Sequence, residues 1–230
     1  FEDQTLSHAM IAVQGPKAVE ILAALGAETA SKHRYYSASP MTVAGMDALV
    51  SRTGYTGEDG FELIVPSEVG MNLWNVLLEA GQPFGAQACG LGCRDTLRLE
   101  AAMPLYGHEL NEDTDPLTAG LNFAVKLEAA DFVGRDALRK IAESPTGKVR
   151  VGLELEGKRI AREGAGILSR DQSVGEVTSG TFSPTLQKAI AMGYVDSAVS
   201  ETGSELEIDI RGKRHDARVV NLPFYKRTKQ

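Results

Sequence analysis

"SRTGYTGEDGFELIVPSEVGMNLWNVLLEAG", residues 51–81, changes its hydrophobic period halfway along. Before Ser67, Phe61, Leu63 and Val65 alternate with Glu62 and Ile64, the period-2 pattern of a half-buried strand. After it, Val69, Leu73, Val76, Leu77 and Ala80 recur three or four apart, which predicts an amphipathic helix with Ser67 as N-cap. With a further strand over 47–53, the stretch reads strand, turn, strand, helix. Its turn holds Gly54, Gly57 and Gly60 beside Glu58, Asp59 and Glu62, more than a hairpin requires, although Asp59-Gly60 alone is an ordinary hairpin signal.

Outward from there, "HAMIAVQG" (8–15) reads as a short buried strand, and "GPKAVEILAALG" (15–26) as a helix bounded by Pro16 and Gly26. "CRDTLRLEAAM" (93–103) predicts another helix, "DPLTAGLNFAVKL" (115–127) a loop and a strand, and "GRDALRKIAE" (134–143) a last helix. Strands and helices mixed without strict alternation predict an α+β domain over residues 1–146. "SPTGK" (144–148) reads as a linker. From residue 147 to 230 the pattern becomes all-β, with VRVGLEL, GILSR, VGEVTSG, AIAMGYV, ELEIDI and DARVVNL separated by turn signals. That spacing predicts a small sandwich or barrel.

Composition narrows the function classes. No apolar run approaches the about 18 residues of a membrane span, so no membrane partner is expected. A net charge of -7 argues against broad nucleic-acid binding. Cys89 and Cys93, in C-x3-C spacing, match neither a redox pair nor half a zinc site, and read as structural or inert thiols in a reducing compartment. "GEDGFE" lacks the alternating oxygen ligands of a calcium loop, so no metal is expected. The chain opens Phe-Glu-Asp rather than with Met, which fits processing or an absent N-terminal part.

Two residues carry candidate chemistry. Glu62 is either the wet face of a two-sided sheet or a carboxylate aimed into a cleft, where it would accept two parallel N–H bonds from a planar ligand. Arg94 and Arg98 lie four apart on a helix with Asp95 and Glu100. Such a helix is usually a charged surface; the functional alternative has Arg94, in the first turn, meeting an anion with help from the helix dipole. Ser179, Thr181 and Ser183 read as turn hydroxyls satisfying local backbone. No nucleophile motif is present.

The motifs "AVQGPKAVEIL", "GYTGEDGFELIVP", "LGCRDTLRLEAAMPLYGHEL", "FVGRDAL" and "GEVTSGTFSPTLQKAIAMGYV" together resemble the aminomethyltransferase (T-protein) family of the glycine cleavage system, in the same order and over essentially the whole chain. The resemblance implies a folate-binding α+β region followed by a C-terminal β-barrel. It implies a tetrahydrofolate-dependent transferase that takes the aminomethyl group from the lipoyl arm of H-protein, releasing ammonia and forming 5,10-methylenetetrahydrofolate. It gives Glu62 the pterin, Arg94 a second folate contact, Tyr55 the lining of the same site, and Tyr225 a C-terminal contribution. The glycines would then let the backbone turn tightly beside a flat ligand. It also implies that about the first third of the family's chain, with its catalytic aspartate, is absent, leaving no catalytic residue here. The compartment would be the bacterial cytoplasm or the mitochondrial matrix. Folate-dependent demethylase or oxidase-type relatives and a non-catalytic folate-binding protein are the alternatives; "GYTGEDGFE" with "TSGTFSP" favours the first reading over the demethylases and oxidases.

Overall fold

The computed structural model describes residues 2–144 and 147–228. Pro145 and Thr146 of the expected linker, and the domain boundary placed at 146, lie outside the described residues. The chain divides into two compact units, one holding the residues up to Arg94 together with those after Lys226, the other Asp95–Lys226.

The first unit is a four-stranded antiparallel sheet covered on one face. Its elements are β1 (His8–Gln14), α1 (Ala18–Ala24), β2 (Ala38–Val43), β3 (Met46–Ser51), β4 (Gly60–Pro66) and α2 (Ser67–Gly81), and the strand order is β1-β4-β3-β2. Phe61, Leu63 and Val65, all fully buried, join Val43 and Val50 from the sheet, Ile21 and Leu22 from α1, and Leu73 and Leu77 from α2 in one core. Burying each such side chain stabilises by about 1.5–3 kcal/mol. The alternation read in β4 thus sends Phe61 to the core and Glu62 to the other face. On that other face Met10 and Leu49 are exposed.

Several local expectations are corrected. β1 is an edge strand with half-exposed residues rather than a buried one. β2 is an unanticipated strand; Pro40 is tolerated because β2 lies at the sheet's edge. Ser67 is the first helical residue, and Pro66 occupies the cap position with no side-chain bond. Asp59-Gly60 is no two-residue turn, since β3 and β4 are joined by the eight-residue loop 52–59.

Helix α3 (Leu91–Glu100) runs through the point where the units divide. The second unit contains its C-terminal part, an irregular segment, α4 (Arg135–Glu143) and a closed antiparallel barrel. The strand expected within 115–127 is a 3-10 turn at Asn122–Ala124 in irregular chain. The barrel strands are β5 (Lys148–Leu155), β6 (Gly166–Ser169), β7 (Gln172–Ser183), β8 (Lys188–Asp196), β9 (Glu205–Ile210) and β10 (Lys213–Val220), ordered β10-β5-β8-β7-β6-β9. β8 reads as one apolar run because both its faces are buried. Ala189, Ala191 and Val195 join the barrel core, while Ile190 and Met192 pack with Leu99 and Ala102, against which Leu222 and Phe224 lie.

In the second unit the charged-surface reading of α3 fails at Arg98 and Glu100, while Asp95 stays exposed and pairs with Arg98. Arg98 is 1% exposed and Glu100 1% exposed. Arg98 Nη1 donates to Glu109 Oε2 at 2.8 Å, Nη2 to Ser179 Oγ at 2.8 Å and Nε to Asp95 Oδ1 at 2.8 Å. Glu100 accepts from Ser183 Oγ at 2.5 Å and Thr185 Oγ1 at 2.9 Å. Ser179 and Ser183 therefore serve partners about eighty residues away in sequence rather than only their own turn.

Candidate functional site

Glu62 stands on β4 with Ser51 of β3 on one side and Ala12 of β1 on the other. Both neighbours are small, which leaves the carboxylate room. Thr53 Oγ1 donates a short hydrogen bond to Glu62 Oε2, and Ser51 Oγ lies 2.9 Å from Thr53 Oγ1. A hydroxyl has one proton. With that of Thr53 given to Glu62, Ser51 donates to Thr53, and the pair forms a relay aimed at the carboxylate. One oxygen of Glu62 is thereby oriented.

The loop 52–59 is stapled at its base. Arg52 meets Asp59 through two bonds, Nε to Oδ1 at 3.2 Å and Nη2 to Oδ2 at 2.6 Å, and its Nη1 donates to the carbonyls of Ser31 at 2.6 Å and His33 at 2.9 Å. The bidentate geometry is the strong form of such a pair. The Arg52 bond holds the Asp59 carboxyl below the usual carboxylate range, against the opposing effect of partial burial. Asp59 is thus the structural acid of the loop. Nearby, burial and then Tyr36 raise the Tyr35 phenol; Arg227 opposes this, and the Asp59 and Glu62 carboxylates add to it.

Tyr55 and Arg94 are brought together. The guanidinium carbon of Arg94, in the first turn of α3, lies 4.4 Å from the Tyr55 ring centroid. This is a cation–π contact, and Arg94 is exposed. Tyr225 belongs to the second unit, where its N–H donates to the Glu100 carbonyl at 2.8 Å. Among the described residues, no group of three or more His, Cys, Asp or Glu side chains is placed to hold a metal, and no helix is long and apolar enough to cross a membrane.

A Cβ at Gly54 or at Gly60 would overlap the side-chain amide of Gln14, so both positions leave room for that amide. Gly57, at φ +80°, supplies the left-handed turn. Ser51, Thr53 and Gln14 were not singled out in the sequence. The hydroxyl pair had a signal: two hydroxyl residues two apart, Ser51 ending the strand that pairs with β4 and Thr53 just past it in the loop. Gln14 had none, since its partners lie about forty residues or more away.

A sheet-and-helix unit whose open face carries an oriented carboxylate, followed by a closed six-stranded barrel, defines a family. Residues 1–129 match the GCVT N-terminal domain and residues 148–226 the glycine cleavage T-protein C-terminal barrel domain, and the chain belongs to this family. It is 50% identical over 232 residues to the aminomethyltransferase of Streptomyces avermitilis, covering 99% of this chain and 62% of that protein. It is 50% identical over 228 residues to that of Symbiobacterium thermophilum, covering 97% and 61%. The crystal structure of glycine cleavage system aminomethyltransferase T from Bartonella henselae superposes with a TM-score of 0.85 at 33% identity, over 95% of this chain and 60% of that one. The chain thus spans about 62% of the length of the curated relatives it matches.

Proposed function

We propose that this chain carries the folate-binding residues of a tetrahydrofolate-dependent aminomethyltransferase of glycine cleavage. The observation that supports it most is the Glu62 carboxylate, held by the Ser51–Thr53 relay on the open face of the sheet. A 2-amino-4-oxo pterin presents a ring N–H and an amino N–H side by side. A carboxylate with one oxygen fixed matches that edge with two charge-assisted bonds. Arg94, stacked on Tyr55 and exposed to solvent, suits the anionic tail of a folate. Tyr225 is assigned to the same ligand by family likeness. In this reading the residues present bind and orient the cosubstrate. The aminomethyl carbon passes from the sulfur of the lipoyl arm of H-protein to the folate nitrogens, ammonia leaves, and the lipoyl thiol is released. The bacterial cytoplasm or the mitochondrial matrix follows as the compartment.

Calorimetric titration of 5-formyltetrahydrofolate into the intact protein tests this. Glu62→Gln is expected to weaken binding by about 1–3 kcal/mol, the scale for a hydrogen bond to a charged partner. Unchanged affinity in a folded variant would return Glu62 to the wet face of the sheet. Ammonia release that requires both lipoylated H-protein and tetrahydrofolate tests the reaction itself; transfer of a one-carbon unit to folate from an N-methyl amine, without H-protein and without ammonia, would favour a demethylase-type relative.

A further inference from the structure

The loop bearing Tyr55 is closed by a side chain from a third strand. Gln14, the last residue of β1, lies opposite Gly60 in register. Its Nε2 donates to the Thr53 carbonyl at 3.1 Å and to the Phe61 carbonyl at 3.3 Å. A side-chain amide nitrogen has two hydrogens, so each end of the loop receives one. The amide occupies the space that a Cβ at Gly54 or Gly60 would need. Its oxygen, Oε1, is buried without a hydrogen-bond partner among the described residues.

That orphan oxygen is informative. Buried polar atoms are normally paired, and leaving one unpaired is costly. Methionine would fill a similar volume with no orphan acceptor. What glutamine offers here and methionine cannot is the pair of donors. Both donors fall beside Glu62: Phe61 precedes it in the chain, and Thr53 holds its carboxylate through Oγ1.

We propose that Gln14 is a positioning residue for the Glu62 carboxylate. By tying the Thr53 and Phe61 carbonyls to one planar amide, it fixes the Thr53 hydroxyl relative to Glu62, and Gly54 and Gly60 are glycines so that the amide can enter. The inference rests on the reading of Glu62 as a ligand-binding group.

The test is a double-mutant cycle on 5-formyltetrahydrofolate affinity in the intact protein, with Gln14→Met, Glu62→Gln and both together. Gln14→Met is expected to weaken binding at least fivefold in the wild-type background and to add nothing once Glu62 is glutamine. The same loss in both backgrounds would mean that Gln14 acts on the fold alone, and would overturn the proposal. Lost affinity in Glu62→Gln with full affinity in Gln14→Met would overturn the Gln14 role and leave the Glu62 site standing. Full affinity in Glu62→Gln would overturn both. A ligand-free readout is amide exchange over residues 52–60, expected to quicken in Gln14→Met while exchange in α2 stays unchanged; no change in the loop contradicts the proposal. Should Gln14→Met fail to fold, Gly54→Ala displaces the same amide and is expected to show the same dependence on Glu62.

Discussion

Arg98 and Glu109 form an ion pair almost sealed from water, with side chains 1% and 0% exposed and 2.8 Å between Nη1 and Oε2. Neither charge is left short of partners. Glu109 also accepts from Thr178 Oγ1 at 2.6 Å and from the Leu105 N–H at 2.9 Å. Such a pair gains little over a well-packed apolar replacement, but losing one member strands the other charge.

Arg98→Ala is therefore expected to destabilise the second unit by about 3–5 kcal/mol. Arg98→Met combined with Glu109→Leu should recover part of that loss. Urea unfolding of the single and double variants checks both. A double variant no more stable than Arg98→Ala would show that the hydrogen bonds, rather than the stranded charge, dominate.

Acid stability follows from two carboxyls. Burial would raise Glu109, but the Ser179 and Thr178 hydroxyls, the Leu105 N–H and the Arg98 charge together hold it below the usual range. The Arg52 bond does the same for Asp59. A depressed folded pKa means that the unfolded chain takes up protons first as pH falls. The stabilisation is full above the ordinary carboxylate range and is lost as pH drops through the folded values. Stability should be level above about pH 5 and decline below about pH 4. Asp59→Asn should be less stable at pH 7 and show a shallower acid decline in urea midpoints; an acid limb as steep as wild type would remove Asp59 from the account.

At the other extreme, Tyr194 is half-buried, and its hydroxyl donates to the Glu109 carbonyl at 2.8 Å. Burial, opposed by Arg150, pushes its phenol up to about 12. The unfolded chain ionises this group first, so the stabilisation is complete below about pH 10 and is lost on rising towards 12. Tyr194→Phe should remove part of the alkaline decline. Absorbance at the phenolate band should show one fewer late-titrating tyrosine in the variant than in wild type, Tyr35 remaining raised in both.

Tyr55→Leu removes the ring beneath Arg94, while Tyr55→Phe keeps it. If the stack presents Arg94 to the ligand, Tyr55→Leu should weaken folate binding by about 0.5–1 kcal/mol, and Tyr55→Phe by less. Equal losses would assign the effect to the tyrosine hydroxyl instead.

What the sequence disclosed follows the range of the forces involved. α2 was readable because its burial is set by a 3.6-residue period within fifteen residues. The six barrel strands were readable because turn residues punctuate them. β2 was not, since Pro40 is a strand breaker everywhere except at an edge, and edge position is a property of the assembled sheet. The burial of Arg98 and Glu100 was hidden for a similar reason. Their partners, Ser179, Ser183 and Thr185, lie more than eighty residues on in the barrel, and local spacing alone makes these charges look like surface. Glu62 was visible as an acid in an apolar strand, but its orienting hydroxyls and the Gln14 amide emerge only when three strands are placed side by side.

The most direct test of Glu62 as the reader of the pterin edge compares two ligands, 5-formyltetrahydrofolate and its analogue lacking the 2-amino group, on wild type and Glu62→Gln. If the carboxylate reads that edge, wild type should bind the analogue roughly tenfold or more weakly, the worth of one charge-assisted bond, while Glu62→Gln should distinguish the two ligands far less. The same discrimination in both proteins, or none in either, would contradict the account.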